Sequence, residues 1–397
     1  MSINFSMMMH NNELAGHLEE FFLSYKQQMG IQATKHELTY EQGRSEFVNN
    51  AIYGGVFDVS EMGSTWINDF IAMGALRPCQ EFAENVVGNL DNYPPALFTA
   101  CSDEQGLLYA VPWMTDVSMV YYRRDLFQKA GIKEEGAFSS PERFDETLAA
   151  LADAGVVAPW AMPTVRSFVS IHELFIWLQA SGYSYLDSTG RRVILAESGP
   201  RQVLRAYLSL HKYLAPDQKR LRSDDADRLF MTGQAAVRIS GPWLLRYCEP
   251  EVRENLGLAI PMNRTYLGGA GLVVWNSSRE VLKSVELIKK LTDREASIKI
   301  AYLAGLMPAR LDCIAGLPDE YVRPEYRPMI ETAIRGGVSI PKTPLGGMVE
   351  DRLVTMIDML WQRFFESQTG DIDQFLEDEL DTVVNRLNMV LSNYYSG

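Results

Sequence analysis

The sequence predicts an α/β protein of two domains, and three observations carry that expectation. Short β-rich runs alternate with amphipathic helical stretches from the first residues onward, the pattern of sheets flanked by helices. The chain's 397 residues, 47% hydrophobic and 22% charged, exceed what a single hydrophobic core usually supports. Two β-rich runs, 107–112 and 117–122, stand in series with no Asn-Gly, Asp-Gly or Gly-Gly between them, and Pro112 removes one backbone donor. Such a chain passes from one sheet into another rather than folding back. The stretch is therefore expected to be a hinge, with Trp113, Thr115 and Asp116 at the floor of a cleft. An apolar face with polar groups beside it suits an uncharged polar ligand.

In chain order, residues 3–9 read as a buried strand broken by His10-Asn11-Asn12, and Leu14, Leu18, Phe21, Phe22 and Tyr25 recur at helical spacing over 13–29. A strand is expected at 32–38, a helix at 43–52, and a strand at 56–60 that ends in Glu61-Met62-Gly63-Ser64-Thr65-Trp66. Alternation of this kind favours a mainly parallel sheet with ligands beyond the carboxyl ends of its strands, where Asn11, Asn12, Glu13, Ser64, Thr65 and Trp66 fall. After the crossing stretch, helices are expected at 125–130, at 139–154 with Pro141 in the first turn, and at 170–180, the last bearing His172, Glu173 and Trp177. A helix over 200–214 precedes a strand that delivers Trp243 to a helix start. Residues 256–261 read as the strand that returns to the first domain, where 267–275 supply another strand and 281–291 a helix. Two amphipathic helices, 348–365 and 371–395, close the chain after a Pro- and Gly-rich loop at 340–347.

Composition excludes several classes of function. A net charge of −14 without a basic run argues against nucleic acid or an anionic membrane surface as partner. No apolar stretch approaches the roughly 20 residues that span a bilayer. Cys79, Cys101, Cys248 and Cys313 form no C-x-x-C and are expected as single thiols, and His10, His17, His36, His172 and His211 are too scattered for a metal constellation. There is no G-x-S-x-G, H-E-x-x-H or phosphate-binding loop motif; Gly268-Gly269-Ala270-Gly271 lacks dinucleotide-loop spacing, and Asp371-Ile372-Asp373 lacks the glycine of a calcium loop. No cofactor and no metal are expected. The start, MSINFSMMMHNNE, has no basic n-region or long apolar h-region. The chain is thus expected either periplasmic or extracellular after removal of a leader, or cytoplasmic if natively leaderless.

Four stretches stand in an order that resembles one family. They are Phe57-Asp58-Val59 with Trp66 and Gly74-Ala75-Leu76; Tyr109-Ala110-Val111-Pro112 with Tyr121-Tyr122-Arg123-Arg124-Asp125-Leu126-Phe127; Phe230-Met231-Thr232-Gly233-Gln234-Ala235-Ala236 with Gly241-Pro242-Trp243; and Gly268-Gly269 with Gly305-Leu306-Met307-Pro308-Ala309. The set is similar to the extracellular solute-binding proteins of ABC importers, in the sugar-binding branch that includes maltose-binding protein. It departs at Arg123 and Arg124, where the family usually has Asn and Lys. The resemblance implies a two-lobed periplasmic-binding-protein fold of type II, with mixed, mainly parallel sheets and hinge-crossing strands. One lobe would comprise 1–114 and 264–312, the other 115–263 and 313–397. It further implies a monomer that binds a mono- or oligosaccharide between the lobes and delivers it to the membrane permease subunits by hinge closure.

Sugar binding takes flat aromatic faces against C–H surfaces and carboxylates, amides or arginines for the hydroxyls. Trp66, Trp113 and Trp243 each follow a strand. Trp66 and Trp243 are read as ligand-facing, while Trp113 is open to both a core and a cleft reading, with the motif order favouring the cleft. The remaining candidates are Asn11, Asn12, Glu13, Ser64, Thr65, Asp116, Gly268, Gly269 and Arg166, the last equally plausible as a solvated loop residue. Trp177 and Trp275 read as core, and Arg310 as a helix cap. The rival reading from another class is a glycoside hydrolase, for which Glu13, Glu61, Asp116 and Glu173 could supply two carboxylates. A leaderless sensor of the same fold is the third.

Overall fold

A computed structural model describes residues 2–79, 86–366 and 372–396, so the expected helix start at Asp371 lies outside the described residues. The chain divides into two compact units, Met1–Val117 with Leu267–Gly346, and Ser118–Tyr266 with Gly347–Gly397. Relative to the sequence reading, the first two crossings move by three residues. The third moves much further: residues 313–346 belong to the first unit. That segment is tied there by Leu267 N–H donating to the Val338 carbonyl, by Ser339 Oγ donating to the carbonyls of Ala96 and Leu267, and by Lys342 Nζ donating to those of Ser102 and Asp103.

The first unit is built on a six-stranded sheet in the order β10-β4-β9-β3-β1-β2, with β1 Ser2–Met8, β2 Gln32–Leu38, β3 Val59–Gly63, β4 Ala110–Val117, β9 Leu267–Val274 and β10 Met307–Pro308. β1 buries Ile3, Phe5, Met7 and Met8, against which the helix Asn12–Met29 lays Leu14, Leu18, Phe22 and Tyr25. That helix starts where the Asn11 side chain accepts from Leu14 N–H and stops at Gly30, whose φ of 70° is cheap only for glycine. The expected strand at 56–60 is shifted to Val59–Gly63, and the expected helix at 43–52 extends to Tyr40–Tyr53 because Thr39 caps it.

The second unit holds a four-stranded sheet, β6-β7-β5-β8, made of β5 Met119–Arg123, β6 Trp160–Ala161, β7 Val237–Ser240 and β8 Leu256–Ala259. β8 pairs with β5, so it completes this sheet instead of returning the chain to the other unit. The helices Pro141–Asp153, Phe168–Ala180 and Ser198–Ser209 belong to this unit, as do the closing helices, Gly346–Glu366 almost entirely and Ile372–Ser396.

Both sheets are mixed, but the expectation that they are mainly parallel does not hold: among the described residues β1–β2, β1–β3 and β6–β7 are parallel, whereas the other five pairings are antiparallel. The strands that cross between units enter each sheet antiparallel to a neighbour, which an uninterrupted run of strand-helix-strand units cannot supply. The four cysteines are buried and free. Among the described residues no helix is long and apolar enough to cross a membrane.

The gap read between 112 and 117 is closed: β4 runs straight through Trp113, Met114, Thr115 and Asp116. Its register against β9 slips between Pro112 and Met114, where the proline has no N–H to offer, and the ladder then resumes to Val117 and Leu267. On the opposing strand Gly269 has φ 143°, and a Cβ there would stand 2.2 Å from the Met114 carbonyl oxygen. Gly269→Ala should therefore lower unfolding stability by about 2 kcal/mol or more, read from the urea midpoint.

Candidate functional site

In the first unit a polar cluster gathers near the carboxyl ends of β1, β3 and β4. Glu61 is buried; one of its oxygens accepts Met8 N–H at 2.9 Å and the other pairs with His10 Nε2 at 2.8 Å. Burial alone would push the His10 ring down, but the Glu61 charge and hydrogen bond outweigh it, and the pKa is raised. The Tyr40 ring lies edge-on to His10 with centroids 6.4 Å apart. Burial of the phenol end, then the charges of Glu61 and Asp116, push the Tyr40 pKa up, although the residue as a whole is 53% exposed. Asp116 is half-buried on β4, opposite Gly268. This is an acceptor-rich, hydroxyl-bearing group of side chains suited to exchanging hydrogen bonds with a polyhydroxylated ligand.

The other residues predicted in this unit divide by role. Asn12 and Glu13 are exposed in the first turn of their helix. Asn11 caps that helix and donates Nδ2–H to the Leu303 carbonyl at 2.7 Å. Ser64 N–H donates to the Gly269 carbonyl, Thr115 Oγ1 donates to that of Gly268, and Thr65 is half-buried. These contacts hold the Gly63–Trp66 turn and the two glycines to the sheet.

Two tryptophans depart from their expected positions. Trp113 is 1% exposed; it packs edge-on to Phe5 and donates its indole N–H to the Leu291 carbonyl, so it fills the core. Trp66, 6% exposed, lies edge-on to Phe47 within a group that also includes Phe70 and Trp275, and little of its ring is open. Trp113 lies in a stretch of β4 buried on both faces, and Trp66 stands after the turn that ends β3, where the aromatic group takes up its indole. Trp275 and Trp177 are core residues, as read.

The second unit's candidate is Trp243, which is half-buried at the start of the short helix Trp243–Tyr247. Its indole N–H donates to Asp227 Oδ2 at 2.7 Å. The other oxygen of Asp227 accepts from Arg238 Nε at 2.8 Å and from Ser240 Oγ at 2.9 Å. Arg238 also donates Nη1–H to Glu173, whose second oxygen accepts the Tyr207 hydroxyl at 3.2 Å. Arg238, Tyr207, Glu173, Ser240 and Asp227 are all buried. Burial raises the Glu173 pKa to about 7 against the opposing pull of Arg238 and Tyr207, with a smaller push from the Asp227 charge. Arg166, by contrast, is an exposed partner of Asp351 and stacks near Phe168.

Sequence reasoning missed Tyr40, Asp227, Tyr207 and Arg238. The last had a signal: an arginine between Val237 and Ile239 in an apolar strand must either break the strand or be paired inside.

Comparison with known proteins follows the same lines. Residues 33–326 match the family described as bacterial extracellular solute-binding protein, and the chain belongs to that family. A probable amino-acid ABC transporter periplasmic-binding protein of Sinorhizobium fredii is 21% identical over 286 residues, covering 64% of this chain and 65% of its own length. This chain thus matches less than two thirds of that relative. The mannitol-binding protein of Pseudomonas aeruginosa is 35% identical over 83 residues, 21% of this chain and 18% of its own. Among solved structures, an ABC transporter solute-binding protein of Thermotoga lettingae bound with α-D-tagatose aligns at a TM-score of 0.81 and 18% identity over 98% of this chain and 99% of its own. At that identity the likeness concerns the fold.

His172 stacks on Tyr266 with centroids 4.1 Å apart, and burial drives its pKa down to about 3. The fold holds the neutral ring, so its contribution is intact above pH 6.5 and is lost progressively as pH falls from there toward 3. His172→Phe should gain on the wild type by on the order of 1–2 kcal/mol between pH 7.5 and pH 5, measured by urea unfolding at both values.

Proposed function

We propose that the protein is the substrate receptor of an ABC importer, a monomer that binds a small sugar or sugar alcohol without transforming it and presents it to a membrane permease. The observation that carries this reading is the half-buried Trp243 indole, held by Asp227 and offering an aromatic face, in a family whose members bind extracellular solutes. Tyr40 and Asp116 of the first unit supply a hydroxyl and a carboxylate of the kind that recognises sugar hydroxyls. The ligands of the tagatose-bound structure and of the mannitol-binding relative point to single-ring sugars and open-chain polyols.

Against a hydrolase stands the state of the carboxylates. A glycosidase needs one carboxyl to protonate and a second to attack or activate water. Of the four carboxylates that could form such a pair, Glu173 is committed to Arg238 and Glu61 to His10 and the Met8 amide, which leaves Glu13 in the first turn of its helix and Asp116 on β4.

Titration calorimetry with D-mannitol, D-tagatose, ribitol, maltose and a panel of amino acids tests the reading. A sugar or polyol should bind with one-to-one stoichiometry, remain unaltered by mass spectrometry after prolonged incubation, and reduce the radius of gyration in small-angle scattering. Trp243→Ala should weaken binding by on the order of 1–3 kcal/mol with little change in melting temperature. Turnover of an oligosaccharide, or preference for an amino acid, would sink the proposal.

A further inference from the structure

We propose that Asp227 and Gly241 are positioning residues for ligand recognition, the first holding the Trp243 indole by its N–H edge and the second leaving the space in which the ring lies. The inference rests on the reading of Trp243 as a ligand-facing residue.

Two separate contacts fix the ring. At its edge, Nε1 donates to Asp227 Oδ2 at 2.7 Å. Across its six-membered ring, a Cβ built on Gly241 would stand 2.0, 2.3 and 2.5 Å from Cζ3, Cη2 and Cε3, so the indole occupies the place of the missing side chain. Gly241 is itself held, since its carbonyl accepts the Tyr121 hydroxyl at 2.8 Å. Asp227 cannot swing away, because Arg238 and Ser240 both bond its other oxygen. Arg238 is in turn fixed by Glu173, and Glu173 by Tyr207.

A buried set of two carboxylates and one guanidinium is a poor way to gain stability, because desolvating the charges offsets most of their attraction. What it supplies is a carboxylate whose position is over-determined. The group that this carboxylate holds, and that the rest of the network does not enclose, is the half-buried indole. A stacking face pinned at one tilt accepts a sugar or polyol whose C–H surface meets that plane and penalises one that does not. It also avoids the ordering cost of a mobile ring.

A double-mutant cycle tests the assignment, with D-mannitol and D-tagatose as probes and affinity read by calorimetry. Trp243→Phe keeps a ring but removes the N–H, and Trp243→Ala removes the ring. Asp227→Asn and Gly241→Ala, each in the wild-type background, should lower affinity for the bound probe by about tenfold, and each should have less than about a twofold effect once Trp243 is Ala. Asp227→Asn should likewise lose most of its effect in the Trp243→Phe background. The fluorescence difference between the wild type and Trp243→Phe isolates this indole among the seven tryptophans of the chain. Its anisotropy should fall in Asp227→Asn.

Should Asp227→Asn fail to fold, the Gly241→Ala arm carries the test, because that substitution leaves every charge in place. Additive effects in the Trp243→Ala background, or unchanged anisotropy, would show a merely structural role and overturn the proposal while leaving the receptor reading intact. If Trp243→Ala binds the probe as well as the wild type, the ligand-facing role of Trp243 itself fails.

Discussion

The constraint on which the chain's organisation depends is that one stretch of backbone must satisfy two sheets in immediate succession. β4 keeps its ladder to Val117, β5 begins its own at Met119, and only Ser118 lies between them. Ser118 is paired even so: its N–H donates to the Tyr266 carbonyl, and its own carbonyl accepts from Thr265 Oγ1. The outgoing and returning segments are thereby fastened to each other at the residue where each changes unit. A buried backbone with its polar groups paired can bend there without exposing an orphan donor or acceptor. The same economy explains the glycine opposite. Once Pro112 fails to donate, the strand slips, and β9 must pass so near Met114 that only Gly269 fits.

The two units solve the problem of buried charge differently. In the first, Glu61 is matched by one histidine and one backbone amide, so it has both a titratable and a permanent partner. In the second, a single guanidinium serves two carboxylates, and desolvation, with a smaller push from the Asp227 charge, lifts Glu173 against the pull of Arg238 and Tyr207. His172, next to Glu173 in sequence, is driven down by desolvation, since burial disfavours the charged form of a base as it does that of an acid. Adjacent residues on one helix thus carry opposite pH dependence, because the same burial disfavours a negative charge on the carboxylate and a positive one on the imidazole.

Much of the fold was legible because hydrophobic period and caps act locally. The helix Asn12–Met29, strand β2 and the two closing helices were placed within a few residues from the spacing of apolar residues and the breaks between runs. The two-unit division was legible from the absence of a turn between β4 and β5. What could not be read were facts of long-range pairing. That β8 joins β5, that most strand pairings among the described residues are antiparallel, and that 313–346 stays with the first unit all depend on partners more than a hundred residues away or on loop packing. Of the candidate site, Trp243 was visible as an aromatic residue between a strand and a helix start, and Asp116 as a carboxylate in the crossing stretch. Asp227 was not, because an acid inside the helix Ser223–Met231 resembles any solvated helical aspartate until the strand bearing Arg238 is laid beside it.

The tryptophans show why residue type and position after a strand do not by themselves identify a ligand face. Trp113 and Trp275 each satisfy the indole N–H, one on the Leu291 carbonyl and one on Ser60 Oγ, and each is 1% exposed. Trp160, Trp177 and Trp361 are equally buried, and among the described residues their indole nitrogens have no hydrogen-bond partner, a cost that an apolar surrounding repays through packing. An anchored N–H therefore does not distinguish a recognition residue from a core one. The proposal for Trp243 rests instead on a combination: an edge fixed by a carboxylate that is itself fixed, a ring lying where a glycine leaves room, and a residue that stays only half-buried although its anchors are buried. Stability alone would be served better by closing apolar side chains over that ring. Leaving it partly uncovered while holding its edge so firmly makes physical sense when a ligand is what completes the burial.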